Sequence, residues 1–232
     1  MEVPKGGNEE FDENTKLQEA AIVGLNVLKA VASAASVFFP PIGIAGSLIG
    51  VVLKFVDKND SIDNLKKEFQ LIHQGLDELS KQNQQTMKTI IKETADQQFS
   101  RVERSLKWQY EKYMKMISAP PEHVQRRSEE FVEAYDDELG DQHLNTLYES
   151  VIGVPKVFGK PILQVYKQHS RNDLDTMTKL SHQLFYLFSI GCITLMANAV
   201  LIGDDVESLK EEWEDKMNRV WSEMEKALKD CQ

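Results

Sequence analysis

Proline sets the limits on what this chain can fold into. Its seven prolines fall at positions 4, 40, 41, 120, 121, 155 and 161, so residues 42–119 and 162–232 contain none. A proline inside a helix removes a backbone donor and collides with the preceding turn, so proline-free stretches of this length leave room for very long helices. No segment alternates apolar and polar residues cleanly enough for a half-buried strand, and the Asn-Gly and Asp-Gly pairs that close tight hairpins are missing. The chain therefore reads as all-α: an elongated bundle of long helices with an apolar helical hairpin near its N-terminus.

The pattern divides the chain as follows. Residues 1–13 form a flexible acidic N-terminus, and residues 14–230 form a single helical domain. Within that domain, residues 14–57 make the apolar hairpin, with Leu17, Ala20, Ala21, Leu25, Leu28, Val31 and Ala32 at helical spacing and Pro40-Pro41 at the turn. Residues 61–117 make a long amphipathic helix, about 85 Å if continuous. Its polar middle, residues 80–98, is where a bend or break is expected. In its first part Leu65, Phe69, Ile72, Leu76 and Leu79 follow Ile62 in steps of three and four, a heptad seam suited to pairing with another helix. Residues 121–151 make an acidic helix that Gly140 kinks or ends, and residues 153–161 a loop. Residues 173–230 make an apolar helix, broken at Gly203, with an amphipathic tail carrying Trp213 and Trp221 on its apolar stripe.

Two segments carry no charge. Residues 30–53 and 180–203 are each 24 residues long, roughly 36 Å as helix against about 30 Å of bilayer hydrocarbon. Pro40-Pro41 divides the first, which suits a hairpin buried in protein or dipping into a membrane. The second is apolar on all faces. Such a helix is either the hub of a soluble bundle or a membrane span. A third possibility joins the two: buried in water, exposed on contact with lipid.

Charge and motifs narrow the function. Lys and Arg number 27 against 37 Asp and Glu, a net charge of −10, which argues against general nucleic-acid binding. The start of the chain lacks the basic and apolar regions of a secretory signal, and two cysteines cannot build a disulfide framework. The expected location is cytoplasmic, with membrane association or a single span at residues 182–202 as the alternative. The five histidines are scattered, no phosphate loop or nucleophile elbow occurs, and no cofactor, metal or catalytic residue is expected. The run Trp108, Tyr110 and Tyr113, mixed with Lys107, Lys112 and Lys115, reads as bundle packing with solvated lysines, or as a lipid-surface contact.

The layout resembles a known family. An Ala- and Ser-rich apolar helix, the turn Phe39-Pro40-Pro41-Ile42-Gly43, a glycine-bearing helix, a long polar helix and a late uncharged helix ending Leu201-Ile202-Gly203-Asp204-Asp205 are similar to the rapunzel family of fish proteins. That resemblance implies a role in skeletal and fin growth and brings no biochemical activity with it. The apolar hairpin beside long amphipathic helices also resembles α-helical pore-forming toxins at the level of fold.

The expected function is non-enzymatic: a membrane-interacting, pore-former-like helical protein. Its membrane-contact residues would be Val37, Phe38, Phe39, Pro40, Pro41, Ile42 and Leu48 in the hairpin, and Leu184, Phe188, Ile193, Leu195 and Leu201 in the late helix. The alternative is a soluble scaffold or homo-oligomer that pairs with protein partners through the seam at Ile62–Leu79.

Overall fold

The computed structural model describes residues 6–36, 48, 52, 61–94, 97–154 and 160–231. Among the described residues there are eight α-helices and no strand. They are α1 (Gly6–Ser36), α2 (Ile62–Thr94), α3 (Gln97–Ile117), α4 (Val124–Asp137), α5 (Gly140–Ile152), α6 (Ile162–Ser170), α7 (Leu174–Ile202) and α8 (Val206–Lys229). A single 3₁₀ turn, Pro121–His123, precedes α4.

Most boundaries follow the sequence pattern; the start of α1 and the presence of α6 depart from it. Helix α1 begins at Gly6, inside the stretch expected to be flexible. An acidic stretch is compatible with a helix start, because negative charge favours the positive end of the helix dipole. Residues 61–117 hold two described helices, α2 ending at Thr94 and α3 starting at Gln97, and the bend or break expected between them falls on residues 95–96, outside the described residues. The acidic helix is divided. Leu139 at φ 58° and Gly140 at φ 23° turn the chain between α4 and α5. The Tyr135 ring lies so close to the Gly140 backbone that a Cβ there would meet Tyr135 Cδ1 at 2.8 Å. Helix α6 was not anticipated: nine residues are too few to show a 3.6-residue period above the surrounding loop.

The core is organised around α7. Every residue from Gln183 to Ala197 is buried, and α7 packs against each of the other described helices. Helix α1 supplies Leu17, Ala21, Leu25 and Leu28, all fully buried, and α8 supplies Trp213, Met217, Val220, Trp221 and Met224. Phe185 of α7 and Trp221 of α8 sit 6.0 Å apart, ring to ring. Both tail tryptophans are thus core residues. Full burial of a large apolar side chain contributes about 1.5–3 kcal/mol, so a helix buried on all faces is the main source of cohesion.

Candidate functional site

The element with the strongest functional signal is α7 itself. It has 29 residues, a mean hydropathy of 2.0 over its most apolar stretch, and 83% of that stretch buried in the bundle. By length and composition alone it could cross a membrane. The helix core of a soluble protein meets the same criteria.

Its ends are closed by residues adjoining it. Asp173 caps the start, its Oδ1 accepting from the Thr176 backbone N–H at 2.8 Å. Gly203 ends it at φ 76°, a backbone conformation that suits glycine, and Asp204 N–H reaches back to the Ala199 carbonyl at 2.8 Å. The polar side chains at its centre are also satisfied from within. Ser189 Oγ donates to the Phe185 carbonyl at 2.7 Å, and Thr194 Oγ1 lies 3.0 Å from the Gly191 carbonyl and 3.1 Å from that of Ile190. These bonds belong to the helix and would travel with it.

Close packing surrounds the middle of α7. At Gly24 of α1, a Cβ would lie 3.5 Å from Ile193 and 3.5 Å from the Tyr113 hydroxyl, so α1, α3 and α7 converge on one point. At Gly191 a Cβ would collide with the Leu144 side chain of α5. Near the start of the helix there is a polar tie. Gln183 Nε2 donates to Glu103 Oε1 of α3 at 2.9 Å, and Lys107 Nζ holds the same oxygen at 2.7 Å. Lys107 also lies 5.6 Å from the centre of the Tyr186 ring.

Other buried polar atoms find no partner in the protein, among them Ser181 Oγ, Gln183 Oε1 and Asn198 Oδ1 toward the ends of the apolar stretch of α7. On α3, Gln109 is fully buried and neither of its amide atoms finds a partner in the protein, and the Tyr113 hydroxyl likewise has none. Burial holds the Tyr113 phenol well above its ordinary pKa, with Tyr110 adding to the effect, so it stays neutral. Tyr113 instead stacks edge-on against Phe69 of α2 at 5.4 Å and Phe131 of α4 at 5.9 Å.

The sequence-predicted residues fall into three groups. Val37, Phe38, Phe39, Pro40, Pro41 and Ile42 lie outside the described residues. Leu48, Leu184, Phe188, Ile193 and Leu195 are buried, and Leu201 is half-buried against the core, so in this state all six contact protein rather than solvent. Leu65, Phe69, Ile72, Leu76 and Leu79 are turned inward as well. Pairing with a second helix through that seam would require opening the bundle. Of the aromatic run on α3, Tyr110 and Tyr113 are buried and only Trp108 is exposed. Cys192 and Cys231 are free, buried thiols. Among the described residues, no group of three or more His, Cys, Asp or Glu is placed to hold a metal ion. Sequence reasoning missed the unpartnered Gln109, which falls on the buried side of a helix whose amphipathic period marks its position but not its lack of a partner.

Comparison with known proteins fits this architecture. Residues 57–232 match the family model of the cephalotoxin-like middle helical domain. Over 224 residues the chain is 44% identical to Protein rapunzel of Danio rerio, covering 97% of this chain and 98% of that one. The chain belongs to the rapunzel family. The alignment with its rapunzel relative takes in α1 as well as the α2–α8 bundle, whereas the toxin-like domain model begins after the first apolar segment. No solved structure matches this rapunzel-family chain.

Proposed function

We propose that this protein is a non-enzymatic, membrane-interacting bundle that keeps α7 buried in water and yields it to a bilayer. The supporting observation is that the apolar stretch of α7 meets its backbone and central polar needs within the helix. Helix α7 is capped at both ends and bonds its central Ser189 and Thr194 to its own backbone, and the most apolar stretch of its 29 residues has a mean hydropathy of 2.0. In hydrocarbon every backbone group must be satisfied within the spanning element, and a helix that already meets this condition loses little on transfer. Its length, roughly 43 Å, exceeds the ~30 Å bilayer core. Burial in the bundle and burial in lipid are then two apolar environments for one helix, and a membrane shifts the balance by offering the second. The likeness to a toxin-like helical domain supports a pore-former-like mode of action. A role in skeletal and fin growth is what rapunzel family membership adds to this reading.

The test is flotation of the purified full chain, free of detergent, with vesicles carrying a self-quenched dye. The proposal expects the protein to rise with the vesicles and release the dye. A protein that stays at the bottom of the gradient, with dye retained, contradicts it and leaves α7 as a core helix only.

A further inference from the structure

We infer that the outer face of α3 is the surface by which the closed bundle first docks on an anionic membrane. This rests on the membrane reading above and adds the face that makes contact. The exposed positions of α3 include Arg101, Arg104, Trp108, Glu111 and Lys115, with half-buried Lys112 alongside. Steps of three and four residues place them on one stripe of the helix. Four of these are cations, against the single carboxylate of Glu111, which Lys115 holds at 2.7 Å. In a chain of net charge −10 this stripe reverses the prevailing sign. The adjoining edge of α4 does not cancel it: Glu130 is bound by Arg127 at 2.5 Å and approached by Arg126 at 3.5 Å.

Trp108 stands in the middle of this stripe, 41% exposed, with Lys112 Nζ 4.9 Å and Lys115 Nζ 5.9 Å from the ring centre. Trp213 and Trp221 are 2% and 1% exposed, so Trp108 is the tryptophan of the described chain that can meet a surface without unfolding. Tryptophan favours the membrane–water interface, and lysine stems lie along apolar surface while their heads reach the phosphates. An anionic leaflet attracts clustered cations within about a Debye length, so the charge steers and the indole anchors. Of the other exposed large apolar residues, Leu71 and Leu174 lie on other helices, and Leu139 and Ile202 border a pocket ringed by Glu133, Asp136 and Asp141, whose charge the same lipids repel. Docking would therefore be oriented.

The experiment measures partition of the full chain onto vesicles of phosphatidylcholine alone and with about 30% phosphatidylserine, at low and high salt. Three variants are compared: Trp108→Ala; Arg101, Arg104, Lys112 and Lys115 all changed to Gln; and a control of equal net charge with Lys179, Arg219, Lys226 and Lys229 changed to Gln. All the changes are on or near the surface, and helix content by circular dichroism confirms that each variant folds. The wild type is expected to favour anionic vesicles about tenfold or more, with the preference lost at high salt. The α3 variant loses that preference, Trp108→Ala weakens binding severalfold, and the control behaves as wild type. The inference is overturned if the α3 variant binds anionic vesicles as the wild type or the control does. If the wild type binds neutral and anionic vesicles alike, the docking face is wrong while the transfer of α7 survives. If it binds neither, both readings fall.

Discussion

Helices α7 and α3 pack against each other, yet the middle of α7 bonds its Ser189 and Thr194 within the helix, while Ser181, Gln183 and Asn198 nearer its ends, like several residues of α3, keep a buried polar atom without a protein partner. In α7 the central Ser189 and Thr194 bond to their own helix backbone, and every residue from Gln183 to Ala197 is buried. In α3 the fully buried Gln109 has no protein partner at either amide atom, and Tyr113 has none for its hydroxyl, while the opposite face carries exposed cations. An unpartnered buried polar group costs about 1–3 kcal/mol. The closed bundle thus bears this cost in both helices, at the centre of α3 and toward the two ends of the apolar stretch of α7. Opening the bundle would give the inner face of α3 access to water while Ser189 and Thr194 of α7 kept their backbone bonds, at the loss of the Gln183–Glu103 bond. The difference singles out the middle of α7 as the portable part.

Substitutions can break this comparison or sharpen it, and the largest effect is expected at Ile193, which is fully buried. Ile193→Lys places an unpaired charge at the centre of α7 and should cost about 3–5 kcal/mol or prevent folding, as read by urea denaturation. A loss below about 1 kcal/mol would mean that α7 is not held as tightly as described. Next comes α2. Leu76→Ala, at a fully buried seam position, should cost about 2–5 kcal/mol, whereas Leu71→Ser, 55% exposed on the same helix, should stay within about 0.5 kcal/mol. Equal small effects, with a change in the mass of the protein in solution, would assign the seam to an intermolecular contact instead.

The contrast between α3 and α7 is tested most sharply by Gln109→Leu and Thr194→Val. Removing the unpartnered amide should stabilise the closed bundle by about 1–2 kcal/mol and slow dye release from vesicles. Removing the self-bonded hydroxyl should change stability by less than about 1 kcal/mol. The reverse order would undo the comparison.

The smallest effect concerns pH. Burial, with Arg101 adding to it against the opposing pull of Glu138, lowers the pKa of His143 below its ordinary value. The folded state therefore favours the neutral ring. Its contribution to stability is present above the unfolded pKa of about 6.5 and is lost as pH falls below it. His143→Gln should lose less stability than the wild type between pH 7.5 and 5.5 in urea titrations, and an equal loss in both would remove His143 as a cause.

Much of this architecture was legible in the sequence because it depends on period and on proline. The stripes Leu17–Ala32 and Leu65–Leu79, the turn at Gly140 and the stop at Gly203 all follow from spacing and from residues that interrupt helices. The uncharged stretch at 180–203 announced α7, and the buried tryptophans of α8 followed from its stripe. What was not legible depends on facing partners. A heptad seam looks the same whether it meets α7 or a second chain, so the inward turn of Leu65 and Leu76 could not be read from spacing. Tyr110, Tyr113 and Trp108 look alike in the run, yet helical phase buries the first two and exposes the third. Helix α6 was too short to carry a period, and the unpartnered state of Gln109 depends on what stands opposite it.

The central claim is that α7 changes solvents, from protein to lipid, and labelling by lipid acyl chains tests it most directly. Vesicles containing a lipid with a photoactivatable group at the end of its acyl chain would be incubated with the wild-type protein, irradiated, and the adducts mapped by mass spectrometry. The account predicts adducts within residues 184–202, on all faces of α7, at positions such as Leu184, Phe188, Ile193 and Leu195 that are buried in the closed bundle. Adducts confined to surface residues of other helices, with none in α7, would contradict it.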